Sequence, residues 1–161
     1  MRRILYVMTG VAVLAVLGWN VWRSQTLIAS GAEVLLALAP VDPRSLMQGD
    51  YMRLRWDIER DPMKIDERGG AVVLGLDDRR VATLRRLADG SAPGAGEIVF
   101  AVAASPGGGL RVEPHSFLFQ EGTADLWAAA KFGIFRVAPD GRHLLVGLAD
   151  EAARPIVAAP R

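Results

Sequence analysis

The chain is predicted to be mainly β with an N-terminal transmembrane helix, its external domain a β-barrel-like or folded sheet carrying one short helix. Three observations point there: an opening apolar run without charge, a later series of short apolar segments of strand length, and the proline- and glycine-rich breaks between them. From Ile4 to Trp22 no side chain is charged. At 1.5 Å per residue this run is about 28 Å long, close to the roughly 30 Å apolar core of a bilayer. Tyr6 stands near its start and Trp19 and Trp22 at its end, where amphipathic rings favour the headgroup level. Arg2, Arg3 and the α-amino group outweigh Arg23, which predicts a cytoplasmic N-terminus with the bulk of the chain outside. A cleaved signal peptide shares the basic start and apolar run. The small residues that suit cleavage, Ala29, Ser30 and Gly31, come only after Arg23, so a retained anchor is expected. The expected organisation is an N-terminus and anchor over 1–23, a linker over 24–32, an external β domain over 33–150 and a fraying tail over 151–161.

Within the domain, Glu33 to Ala39 is a short apolar run stopped by Pro40 and reads as a buried strand. Pro40 and Pro43 then force a turn around Asp42. Met52, Leu54, Trp56 and Ile58 alternate with Arg53, Arg55, Asp57 and Glu59, the period of a strand with one dry face. Asp61 to Gly70 is charged and reads as a loop, while Ala71–Leu76 and Val81–Leu87 form a hairpin through Asp77-Asp78. Glu97–Ala104 is a further strand, followed by the turn Ser105 to Gly109 and a short strand within Leu110–Pro114. Thr123 to Lys131 predicts a short helix with Thr123 as N-cap. Phe132–Ala138 and His143–Ala149 flank Pro139-Asp140-Gly141-Arg142, a strong hairpin signal.

Composition narrows the function classes. With Arg2, Arg3 and Arg23 set aside, the external part is close to neutral and has no basic cluster, so a nucleic-acid partner is not expected. No cysteine is present, which excludes a disulfide framework, a thiol nucleophile and a cysteine zinc site. His115 and His143 lie in separate segments without ligand-like spacing and read as surface or edge-strand residues, so no metal or cofactor is expected.

The segment Gly49-Asp50-Tyr51-Met52-Arg53-Leu54-Arg55-Trp56, preceded by Pro40-Val41-Asp42-Pro43-Arg44-Ser45, resembles the signature of the bacterial GDYXXLXY proteins, whose pattern ends in Tyr where this chain has Trp56. The stretch Phe117-Leu118-Phe119-Gln120-Glu121-Gly122 is similar to a downstream Phe-x-x-Glu-Gly element of the same family, with each phenylalanine one residue off that spacing. The resemblance implies a small domain tied to the bacterial inner membrane, with the lipid bilayer and an integral membrane protein as partners, and it supplies no catalytic residue. The motif positions are Asp42, Pro43, Arg44, Gly49, Asp50, Tyr51, Leu54, Trp56 and Glu121.

Two readings of these positions stand side by side. In the first, Asp42, Gly49 and Asp50 shape a turn and a strand start, and Arg44 pairs with a carboxylate, which leaves a non-enzymatic module docking on a membrane partner or envelope component. In the second, Asp42, Asp50 and Tyr51 line a pocket that binds a small ligand or hydrolyses one. A signal-peptidase-like arrangement with Ser45 as nucleophile and Lys64 or Lys131 as base fails on spacing, and Lys64 sits in a charged loop that would not lower its pKa.

Overall fold

The computed structural model describes residues 2–40, 47–48, 51–65 and 69–157, with backbone alone for residues 2–5, 7 and 47–48. A long helix, α1 (Arg2–Ser30), leads into a mainly β domain in which the sheet curls into a half-barrel. The strands are β1 (Ala32–Ala37), β2 (Met47–Gln48), β3 (Tyr51–Arg53), β4 (Gly70–Leu76), β5 (Ala82–Leu87), β6 (Glu97–Ala104), β7 (Leu110–Arg111), β8 (Ser116–Leu118), β9 (Phe132–Val137) and β10 (His143–Ala149). A 3-10 turn, Asp57–Arg60, and one short helix, α2 (Ala124–Trp127), complete the described elements.

Three antiparallel sheets make up the domain, ordered β1-β9-β10, β2-β3-β8 and β5-β4-β6-β7. Backbone links between sheets produce the curl. Leu35 bridges Val81 in parallel, and its N–H donates to the Arg80 carbonyl at 2.9 Å, joining β1 to the start of β5. On the other side, the Ala101 N–H of β6 donates to the Gly141 carbonyl at 2.9 Å, which ties the tip of the β9–β10 hairpin to the four-stranded sheet. Gly141 has a φ of 84°, and a Cβ there would lie 3.2 Å from the Ala101 nitrogen. Both the turn and the close approach therefore need glycine.

The predicted hairpins form because turn chemistry and strand period agree. At the β4–β5 turn the Asp77 carboxylate accepts the N–H groups of Arg79 and Val81 at 2.9 and 2.8 Å, satisfying amides that the turn would strand. Inward side chains of all the larger strands meet in one core, with Val34, Leu36, Val72, Phe100, Phe135 and Leu148 fully enclosed. Burying each such side chain contributes about 1.5–3 kcal/mol.

Several expectations change. The strand foreseen over Met52–Glu59 stops at Arg53, makes an isolated bridge from Trp56 to Leu38 and tightens into the 3-10 turn. Met52, Leu54, Trp56 and Ile58 are all buried nonetheless, so the alternation marked the dry side but not the element. The helix expected over Thr123–Lys131 is a single turn; Thr123 stands at its N-cap position, as expected, but its side chain bonds to no backbone N–H of the helix. Its hydroxyl donates to the Gln120 carbonyl and accepts the Trp127 indole N–H. In the tail, where fraying was expected, Ala149 bridges Pro155, and Ile156 donates its N–H to Leu148.

α1 also runs on through Ser24–Ser30, where a linker was expected. Near its C-terminus it meets the domain, where Leu27 is buried and Gly31 lets the chain turn against β9. Among the described residues no helical stretch is long and apolar enough to cross a membrane. Ile4, Leu5 and Val7, which belong to the apolar run, have side chains outside the described set.

Candidate functional site

Of the motif positions, Asp42, Pro43, Arg44, Gly49 and Asp50 lie outside the described residues. Tyr51 opens β3, half-buried, facing Gln48 on one side and Leu118 on the other. Glu121 is exposed in the turn before α2. Leu54 and Trp56 are core residues, 2% and 0% exposed. Of the described motif positions, Leu54 and Trp56 therefore turn into the core, Tyr51 lies at its edge and Glu121 faces solvent.

Trp56 is the centre of this corner. Its indole N–H points at the carbonyls of Val112 and Pro114, 3.1 and 3.2 Å away, so the one polar atom of the ring is satisfied on burial. A Cβ on Gly133 would lie 2.5 Å from the far edge of the indole, which means β9 has a gap in its side-chain row where the ring enters. Trp56 meets Phe135 edge-on with centroids 5.0 Å apart. Phe135 meets Phe100 the same way at 5.5 Å, and Phe100 stacks on His143 at 3.9 Å with planes 11° apart. An aromatic row thus crosses the core from the motif to the β9–β10 hairpin.

The surface side of the same corner carries a polar group that the sequence did not single out. The 3-10 turn presents Glu59, whose Oε1 accepts the Val112 N–H at 2.8 Å and lies 3.1 Å from His115 Nε2. His115 Nδ1 lies 3.1 Å from Glu113 Oε2, and Arg111 Nε donates to Glu113 Oε1 at 3.0 Å. The His115 hydrogen bond, with Arg111 adding to it, holds the Glu113 carboxyl below its ordinary range. A ring carrying both protons donates to both carboxylates at once, whereas a neutral ring donates to only one. With a carboxylate beside each nitrogen, the His115 ring is held from both sides. The group acts as a clamp joining the motif segment to the chain before β8. Among the described residues no group of histidine and carboxylate side chains is arranged to hold a metal ion.

His143, expected at the surface or on an edge strand, opens the edge strand β10 but does not stand free at the surface. It is half-buried against Phe100, with Nδ1 3.3 Å from the Gly141 carbonyl and Nε2 3.2 Å from the Glu113 carbonyl. Burial pushes its pKa below the usual 6.5, against the two carbonyl contacts. Trp127 is a buried ring packed against Phe117 and Phe119.

A second polar region lies where α1 meets the hairpin. Two shallow grooves of about 280 and 410 Å³ flank the helix, and Arg23 and Arg142 line both. Asp140 accepts the Arg142 Nε–H at 2.7 Å and stands 3.9 Å from Arg23, its carboxyl held below the usual range chiefly by Arg142.

No curated protein and no solved structure matches the chain. The family model described as GDYXXLXY protein matches residues 13–148, a span that takes in most of α1 and the domain from β1 to the last residue but one of β10. The chain belongs to the GDYXXLXY family.

Proposed function

We propose that this protein is a single-pass membrane-anchored module of the bacterial inner membrane, in which α1 spans the bilayer and the β domain stands outside it, docking on an integral membrane partner or an envelope component. One observation carries the reading. Every described side chain from Met8 to Thr26 is exposed, and Val11, Leu14, Val16, Leu17, Val21 and Trp22 are each more than half exposed. An apolar side chain left in water forgoes about 1.5–3 kcal/mol of burial, so a helix apolar on all sides calls for an apolar surrounding. Counted from Ile4, the run has the length of a span. The aromatic residues stand at its two ends, and its positive charges favour the N-terminus inside.

The domain's role as a docking module and not an enzyme rests on the inward-facing corner. Leu54 and Trp56 fill the core, and the ring of His115 is taken up on both sides by Glu59 and Glu113. Tyr51, from the competing ligand-binding reading, pairs within a sheet between β2 and β8.

Four measurements test this. The full chain expressed in bacteria is expected to stay in the membrane fraction through alkaline carbonate washing, and protease added outside spheroplasts is expected to digest the domain. Release into the wash overturns the anchor, and protection of the domain overturns the orientation. Crosslinking in native membranes is expected to capture an integral membrane or envelope component. Hydrolysis of a model ester or peptide by the purified chain, lost on Tyr51→Phe, would replace docking with catalysis.

A further inference from the structure

We propose that the junction of α1 with the β9–β10 hairpin binds the headgroup of an anionic phospholipid, with Arg23 and Arg142 as its two cations; this rests on the reading of α1 as a membrane anchor. The two guanidinium groups come from distant parts of the chain, one from the helix and one from the hairpin tip, and both face the same pair of grooves. Their spacing is fixed by the Gly31 corner. A Cβ there would lie 2.5 Å from the Leu27 carbonyl and 3.1 Å from the Val137 nitrogen, so the helix leaves β9 at close contact and brings Arg23 down beside the hairpin. Arg23 directly follows Trp22, whose ring lies 5.2 Å from that of Trp19. Paired tryptophans of this kind favour headgroup depth, which puts the two arginines where lipid phosphates lie.

Charge and shape agree on the ligand. Asp140 is ionised and bonded to Arg142 through Nε and through the main-chain N–H at 3.1 Å, so it orients that guanidinium while cancelling one of the two positive charges. One positive charge remains, which favours a lipid of net negative charge over a zwitterionic one. The larger groove is lined on the helix by Asn20, Arg23, Ser24 and Leu27. One and two turns further up the same face stand Val13, Val16 and Leu17, all exposed. A headgroup held between the arginines would lay its acyl chains along those residues, an arrangement open to a lipid and not to free phosphate.

Native mass spectrometry of the full chain in detergent, titrated with phosphatidylglycerol or phosphatidylcholine, tests the site. The chain is expected to retain phosphatidylglycerol in preference. Arg142→Gln and Arg23→Gln should each lower that retention about fivefold, the weight of one basic residue at an anionic surface. Asp140→Asn should raise it, and Arg60→Gln on the far turn should leave it unchanged. Equal retention of the two lipids by the unaltered chain, or no change in Arg142→Gln, overturns the proposal. Displacement of phosphatidylglycerol by inorganic phosphate alone assigns the site to free phosphate and overturns the lipid. Carbonate washing of the Arg142→Gln chain keeps the two ideas apart. A variant that stays in the membrane but loses the lipid preference supports the site, whereas loss of the unaltered chain from the membrane removes the anchor beneath it.

Discussion

Trp56 and Trp22 are the same residue in opposite surroundings. Trp56 is fully enclosed, with its indole N–H bonded and a glycine opposite its ring edge; Trp22 is 60% exposed and touches the neighbouring Trp19. The first is enclosed by the protein's own core, whereas the second keeps most of its surface open among the described residues. The difference separates what holds the domain together from what places it. Packing around the motif is the domain's internal business, whereas the helix and its junction face outward.

The comparison breaks most sharply at Trp56. Trp56→Ala removes the largest fully buried side chain and strands the carbonyls of Val112 and Pro114, and is expected to cost about 3–5 kcal/mol in a denaturant melt of the domain. Gly133→Ala tests the other half of the same contact. The added methyl would press on the outer atoms of the indole, and about 1–3 kcal/mol is expected to be lost. A Tyr ring, which the family pattern has at this position, lacks those two outer carbons. Gly133→Ala should therefore cost clearly less in a Trp56→Tyr background, and a double-mutant cycle with no coupling would show that the indole and β9 do not set each other's size.

The clamp beside Trp56 is expected to rank next. Glu59→Ala leaves the Val112 N–H without its acceptor and His115 with one carboxylate, and about 1–3 kcal/mol is expected to go. Restoration of near-native stability by Glu59→Gln would show that the acceptor oxygen, and not the charge, is what matters.

How much of this was legible in the sequence varies with the range of the interaction. β6 and the β4–β5 and β9–β10 hairpins could be read because their period and turn residues are local, and Asp77 and Gly141 do in space what their types suggest. The alternation of Met52 to Ile58 fixed the buried side correctly but not the element, since a dry face every second residue is also met by a bridge followed by a 3-10 turn. β8 went unread because three residues with two exposed side chains carry no period. The Glu59–His115 pair was invisible because its members lie 56 residues apart and each looks like an ordinary surface residue alone. The acidic half of the motif, Asp42 and Asp50, lies outside the described residues, so its inward or outward role rests on the sequence.

Acid should reach the core through His143 before it reaches the carboxylates. Burial lowers the folded pKa of His143 below 6.5, so between the two values the unfolded chain binds more protons than the folded one. The stability this gives is whole above about pH 6.5 and is lost as pH falls from there toward the folded value. Glu113 and Asp140, also lowered, act in the same direction, but only below their unfolded values of 4.5 and 3.8. Melting temperature is therefore expected to fall between about pH 7 and pH 5 in the unaltered chain, and His143→Phe should flatten that limb. A limb that survives the substitution would assign it elsewhere.

The smallest expected effect completes the comparison. Trp22→Ala removes a ring that covers no core residue of the domain and contributes only one wall of a shallow groove beside Pro139. The denaturant midpoint of the domain should move by no more than about 0.5 kcal/mol, the range of an ordinary surface change. If the ring instead serves the bilayer surface, the same substitution should alter the depth at which a spin label on Arg23 reports the membrane boundary. A loss of domain stability near that of Trp56→Ala would mean that the helix belongs to the core, and the division between a self-contained domain and an outward-facing anchor would fail with it.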